Sequence, residues 1–367
     1  MSFYDEKRIY DDFDFKAFED KVDSKQIENI LSLDEISELD FLALLTKKAV
    51  PFLENIAQKA RNISINHFGK SIVLFAPLYV SNFCINNCAY CGFSTRNNIE
   101  RKVLSFDEVE DNAKIVSSLG IRHILLLTGE SPVKTSLEYL TECVKILRKY
   151  FEAADIEIYP LSVDGYKKLG EAGASGLTIF QETYDEPLYK TLHTKGAKTD
   201  YKFRLETLER GGQAGYRNLN LGALLGLGDF VSEVFFMGLH ARYLQKKFPS
   251  SEIGMSFPRI RAAEGGYKAQ TIISDLMLVQ AICACRIFIN RIGITVSTRE
   301  NNKLRNNLIP LGVTRMSAAS NTQVGGYAKK NNTKGQFEIS DAATLQEIKD
   351  MIYQRGYQPV LKDWLKL

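Results

Sequence analysis

The stretch IVLFAPLYVSNFCINNCAYC, residues 72–91, decides how the chain is read. Its first nine residues form a near-continuous apolar run, the pattern of a strand buried on both faces. Its last eight, Cys84 to Cys91, hold three of the chain's six cysteines, at spacings of four and then three. A buried strand therefore hands three thiols to one short loop.

Outward from this stretch, apolar runs alternate with amphipathic segments. The strand candidates are 72–80, HILLLT at 123–128, IEIYPL at 156–161, GLTIFQ at 176–181, LNLGALL at 219–225, IGMSF at 253–257, GITVS at 293–297 and TRMSA at 314–318. Between them, segments such as SLEYLTECVKILRKYF repeat apolar residues at three and four, as one helix face requires. Strict alternation implies parallel strands joined by right-handed crossovers, and eight units close into a (β/α)8 TIM-type barrel. An open doubly wound sheet has the same strand count. The barrel is favoured because the polar residues collect after the strands, where a barrel builds its site. Residues 1–70 read as a helical N-terminal extension, 71–320 as the barrel and 321–367 as a short C-terminal extension that closes it. Within the first segment, SLDEISELDFLALL suggests a helix start at Ser32 or Asp34.

Composition bounds the function. With 367 residues, 45% hydrophobic and 25% charged, the chain is an ordinary globular one of one or two domains. Lys and Arg exceed Asp and Glu by only three and form no polybasic block, so nucleic acid is not the favoured partner. The start, MSFYDEKRIYDDFDF, has no signal-like apolar core, and no apolar run is long enough to span a bilayer. These features point to the cytoplasm, where thiols stay reduced and clustered cysteines suggest metal.

Three thiolates in one loop suit a soft centre, whereas structural zinc asks for four ligands, usually two pairs. No second pair exists: Cys143, Cys283 and Cys285 lie on helical segments and read as packing residues. A four-iron cluster held by Cys84, Cys88 and Cys91 leaves its fourth iron open to an exogenous ligand. His67, His123, His193 and His240 show no ligand-like spacing and receive no role.

The triplet, with Tyr90 before its last cysteine, resembles the signature of the radical S-adenosylmethionine enzymes. That resemblance implies a [4Fe-4S] cluster and S-adenosyl-L-methionine as cofactors. It also implies that Thr128, Gly129 and Glu130 hold the methionine ammonium, although Gly-Glu after a strand is also an ordinary turn and helix start. By the same analogy Arg204, in FRLETLERGG, reaches the cofactor carboxylate, Glu182 faces the cofactor from the fourth strand, and Gly226, in LGALLGLGD, lets backbone approach the adenine.

Longer strings, in order CINNCAYCGF, LLLTGE, QETY, RLET, GALLGL, SFPRIR, VSTRE, SNTQVGGY and QPVLKDW, resemble the aromatic amino acid lyases, most closely those of thiamin biosynthesis that cleave tyrosine. The resemblance implies cleavage of the Cα–Cβ bond of L-tyrosine to 2-iminoacetate and 4-methylphenol by an adenosyl radical. It places the substrate carboxylate on Arg299 beside Ser297, with Arg259 and Arg261 as neighbours. It implies thiazole synthase as receiver of the imine and a flavodoxin or ferredoxin as electron donor. A tryptophan lyase and a non-catalytic iron-sulfur or zinc protein are the alternatives. The hydrogenase-maturing relatives carry a second, C-terminal cluster, for which this sequence has no cysteine beyond Cys285.

Overall fold

Strand β1, Ser71–Ser81, pairs in parallel with β2 (His123–Thr128) on one side and β8 (Arg315–Ser317) on the other, and so closes the sheet into a ring. The computed structural model describes residues 2–328 and 332–362. Residues 329–331, in the polar stretch KKNNTKGQ (329–336), and 363–367, which include the last two residues of QPVLKDW, lie outside the described residues.

The ring continues through β3 (Ala153–Glu157), β4 (Ala174–Glu182), β5 (Asn218–Ala223), β6 (Glu252–Ser256) and β7 (Gly293–Val296), every neighbour parallel. The protein is therefore a (β/α)8 barrel, and the open-sheet alternative is excluded by the β1–β2 pairing. Helices such as Phe106–Ser118, Leu137–Arg148 and Phe230–Lys247 cover its outside, each opened by a Ser or Asp side chain that accepts from an N-terminal backbone N–H.

Two expectations shift. The third strand lies at Ala153–Glu157 instead of 156–161. Pairing with β2 aligns His123 with Ala153 and Leu127 with Glu157, so Ile158 and Tyr159 run on beyond the sheet, and the Tyr159 hydroxyl donates to Thr135 O at 2.6 Å. The alanines at 153 and 154 carry little strand signal of their own. The helix expected from Ser32 or Asp34 begins at Glu38, capped by Ser37. Ser32 ends the preceding helix, and Ser37 and Asp40 form the reciprocal box, Asp40 N to Ser37 Oγ at 3.1 Å and Ser37 N to Asp40 Oδ2 at 3.0 Å.

A ninth strand, β9 (Gln358–Val360), pairs with the first residues of β1, and Arg122 N donates to Leu361 O at 3.1 Å. It continues the line of β2 towards the N-terminal side of the barrel. The N-terminal helices dock on the two helices that follow β5 and β6, Phe230–Lys247 and Asp275–Phe288. Phe41 stacks on Phe288 with centroids 4.4 Å apart, and a Cβ at Gly238 would stand 2.4 Å from the Phe41 ring. Phe3 stacks on His240 at 4.2 Å.

The barrel interior departs from the usual filling by bulky branched side chains. Glycine at 176, 222 and 254 leaves the space taken by the side chains of Asp155, Phe180 and Asn220. A cavity results, running from the cysteine loop down the barrel axis.

Candidate active site

The cysteine loop leaves the C-terminal end of β1 and is tied down on three sides. Glycine at 129 allows the end of β2 to lie directly on it, since a Cβ there would stand 2.3 Å from Phe83 O. Gly129 N donates to Ser81 O at 2.9 Å, and Ile85 N to Glu130 O at 2.9 Å. A second strap is the segment 192–198: Asn87 N donates to Lys195 O, Ala89 N to Leu192 O, both at 3.1 Å, and Lys198 N to Asn86 Oδ1 at 3.0 Å. Gly196, with φ +90°, makes this fit, because a side chain there would stand 2.2 Å from Asn86 Oδ1. The third strap is Gln336, whose carbonyl accepts from Gly92 N and whose amide oxygen accepts from the Tyr79 hydroxyl at 2.8 Å. Arg101 adds bonds to the carbonyls of Asn82, Phe93 and Ser94, each at 2.7 Å.

Beneath the loop lies a buried charge network. Arg204 donates to Phe180 O at 2.8 Å, to Glu130 Oε1 at 2.8 Å and to Glu182 Oε1 at 3.3 Å. Glu130 also accepts from Asn86 Nδ2 at 2.6 Å, and Glu182 from Lys198 Nζ at 2.6 Å. Burial alone would raise the Glu182 carboxyl, but the Lys198 and Arg204 charges outweigh it and hold it below its ordinary value. Lys198 is held above its ordinary value by Glu182, against burial and the Arg204 charge. Glu182 sits at φ +74°, a left-handed conformation costly for a side chain of this size, at the point where β4 turns its carboxylate towards the two cations.

Tyr90 faces the same cavity and donates its hydroxyl to His193 Nε2 at 2.7 Å, while His193 Nδ1 lies 2.8 Å from Tyr189 O and carries the ring proton. Burial first, then the Lys198 charge, pushes His193 down to about 3, so it stays neutral.

Across the cavity, Arg299 and Ser297 follow β7. The Arg299 guanidinium lies 3.4 Å over the Phe337 ring and reaches Arg259 O at 3.4 Å. Among the described residues no carboxylate pairs with it. Arg259 departs from the expectation that it faces the substrate. Its guanidinium is used up by Glu300, Asp275 and Ile273 O, and it sits behind the cavity wall, whereas Arg261, also paired to Glu300, lines the cavity.

A model of the radical SAM superfamily matches residues 78–234, and a model of the biotin and thiamin synthesis associated domain matches 256–358. The 2-iminoacetate synthase of Salmonella typhimurium is 38% identical over 92% of this chain and 90% of its own, and that of Escherichia coli 37% identical over the same shares. The chain belongs to the radical SAM family. Among solved structures, the FeFe-hydrogenase maturase HydG from Carboxydothermus hydrogenoformans superposes with a TM-score of 0.85 at 31% identity, covering 98% of this chain and 82% of that one.

Radical SAM enzymes use a [4Fe-4S] cluster and S-adenosylmethionine, and the loop fits that cluster. No three His, Cys, Asp or Glu side chains among the described residues converge closely enough to hold a single ion. A cluster does not need that convergence, because each thiolate binds a different iron. The three thiols still share one neighbourhood, since Cys88 responds to the charge of both Cys84 and Cys91. Burial pushes Cys84 up to about 11 and raises the other two, so ligation by this radical SAM loop must release protons. Cys143, Cys283 and Cys285 are fully buried in the helical layer, away from the loop.

The remaining expected residues take more local places. The Thr128 hydroxyl turns onto Gly129 O at 3.0 Å. Gly226, at φ +109°, accepts from Gln270 N and Thr271 N and packs on that loop. Sequence reasoning took Asn86 only as turn-forming backbone beside the cysteines, gave His193 no role, and did not single out Lys198 or Glu157. Lys198 and His193 come from a segment whose closeness to the cysteine loop only the closed barrel creates. Glu157 carried one usable signal, an acidic residue within an apolar run, and it lines the cavity.

Proposed function

We infer that this radical SAM protein is a carbon–carbon lyase that splits the Cα–Cβ bond of L-tyrosine into 2-iminoacetate and 4-methylphenol, supplying the thiazole moiety of thiamin. The observation that carries the reading is a guanidinium, Arg299, that pairs with no carboxylate among the described residues and opens on the same cavity as the three-cysteine loop. A planar fork there suits an amino-acid carboxylate. When bound, the cluster and S-adenosylmethionine supply one-electron chemistry that yields an adenosyl radical.

The chain supplies placement. Cys84, Cys88 and Cys91 hold the cluster, and Glu130, Arg204 and Glu182 present fixed charges to the amino and carboxylate groups of S-adenosylmethionine. Thr128, Gly129, Tyr90 and Gly226 shape that side. Arg299 with Ser297 orients the substrate, and Leu125, Leu127 and Phe180 give its ring an apolar wall. The strap at Gln336 and Phe337 covers the cavity and limits water. The barrel, 71–320, is the catalytic unit, with the segments before and after it as supports.

An imine released into water hydrolyses to glyoxylate and ammonia, so a receiver enzyme is part of this reading. Thiazole synthase takes that role, a small flavodoxin or ferredoxin delivers the electron, and the setting is the cytoplasm. No helix among the described residues is long and apolar enough to cross a membrane. Anaerobic incubation of the reconstituted enzyme with tyrosine should give 4-methylphenol and glyoxylate in equal amounts. An indole-derived product from tryptophan, with none from tyrosine, would overturn the substrate assignment.

A further inference from the structure

The carboxylates around the cavity are saturated with one exception. Glu130 has Asn86 and Arg204; Glu182 has Lys198 and Arg204; Glu300 has Arg259 and Arg261. Asp155 has His123, Ser175 and Arg315. Glu157, the last residue of β3, faces the same interior as Asp155 two residues before it and lines the cavity. Among the described residues its carboxyl makes no hydrogen bond and no ion pair.

The cavity thus holds one unpaired carboxyl and one unpaired guanidinium. Glu157 and Arg299 are not in contact, yet each responds to the charge of the other. Two opposite charges that face one cavity and are left apart are unfavourable unless something neutralises both. An α-amino acid is a molecule of that description, with a carboxylate and an ammonium on one carbon.

We propose that Glu157 receives the amino group of the substrate, opposite Arg299 on its carboxylate, and accepts one proton from the ammonium. The inference rests on the amino-acid lyase reading. In the step one N–H bond breaks, one O–H bond forms on the carboxylate, and the electron pair stays on nitrogen. No oxidant or reductant takes part. The neutral amine keeps two N–H bonds, and loss of a hydrogen atom from it leaves an uncharged nitrogen radical.

Glu157 is suited to the exchange. Burial first, then the Glu182 charge, raises its carboxyl to about 7, against Arg299, Arg204 and Lys198. A group poised near neutrality both takes and returns a proton. Glu182 is excluded from the role because its two cations already hold it.

The test compares binding of L-tyrosine with that of 3-(4-hydroxyphenyl)propanoate, which lacks only the amino group, on the anaerobic holoenzyme. The wild type should favour tyrosine by about 10-fold or more, and Glu157→Gln should shrink that preference to about 3-fold while binding the propanoate unchanged. The unchanged propanoate affinity shows that the pocket is intact. Glu157→Asp, which keeps the acid, should retain part of the preference. Formation of 4-methylphenol by Glu157→Gln should fall about 100-fold at pH 7 and recover towards pH 9, where tyrosine sheds its own amino proton. An undiminished preference for tyrosine in Glu157→Gln would overturn the proposal. If the wild type makes no 4-methylphenol, the tyrosine reading fails separately, and the same comparison with tryptophan and indole-3-propanoate still judges Glu157.

Discussion

Arg204 and Glu130 form a buried ion pair, Nη1 to Oε1 at 2.8 Å, that joins the short helix Tyr201–Leu205 to the turn after β2. Both are almost without solvent contact, so the pair is held in low dielectric, with Asn86 and Glu182 completing it. Removing one member leaves the other buried and uncompensated. Arg204→Ala should therefore destabilise the fold by about 3 kcal/mol in denaturant titration. A loss below about 1 kcal/mol would mean that water replaces the guanidinium freely.

The thiols divide by place. Cys84→Ala, Cys88→Ala and Cys91→Ala should each bind less iron than the wild type after reconstitution and release no 5′-deoxyadenosine. Cys143→Ala, in the core of the helix Leu137–Arg148, should keep full iron content and lose only about 1 kcal/mol of stability. Iron assay and product analysis separate the two classes, and equal damage from all four would defeat the division.

Much of this arrangement was legible from the chain. Seven of the eight barrel strands stand within three residues of their apolar runs at both ends, because a strand buried on two faces needs an unbroken apolar sequence. The eighth, β3, was displaced because the ladder with β2, a non-local constraint, fixes its register. Within the site, Glu130 and Arg204 stood out through motif resemblance, and the structure brings them together. Lys198 and His193 did not, since nothing local distinguishes them: their surroundings are made by a loop folded back over residues more than 100 positions earlier. Arg259 looked like Arg261 in sequence, and only the position of Glu300 tells them apart. The strand β9 was missed because three residues carry too little periodicity to be read.

Glu233 offers a test by pH. It is buried on the helix Phe230–Lys247 and accepts from the Thr183 hydroxyl and from Tyr184 N at 2.8 Å. Burial raises its carboxyl to about 7, partly opposed by these bonds. Between about pH 4.5 and 7 the folded state holds a proton that the unfolded chain has released, so this group makes stability fall as pH rises through that window. Glu233→Gln removes the titration. Its stability relative to wild type should improve from pH 4.5 to 7, by up to about 3 kcal/mol, and level off above. A difference that stays flat over that range would show that Glu233 titrates at its ordinary value.

Arg299 is the residue on which substrate recognition turns. Its guanidinium carbon lies 3.4 Å from the centre of the Phe337 ring, with one nitrogen 3.4 Å from Arg259 O and no carboxylate partner among the described residues. Burial lowers its pKa, while Tyr79 and Glu157 act in the other direction, and it remains charged at any working pH. A guanidinium fork packed on an aromatic ring can bind both oxygens of a carboxylate at once, which a lysine ammonium cannot do. Arg299→Lys keeps the charge and loses the fork and the stacking. Tyrosine affinity should fall about 10- to 100-fold, while S-adenosylmethionine cleavage without tyrosine continues, because the cysteine loop and Arg204 are untouched. The ratio of 5′-deoxyadenosine to 4-methylphenol should rise accordingly. Wild-type affinity in Arg299→Lys would place the substrate carboxylate elsewhere, and Arg261, which also lines the cavity, would then be the residue to replace.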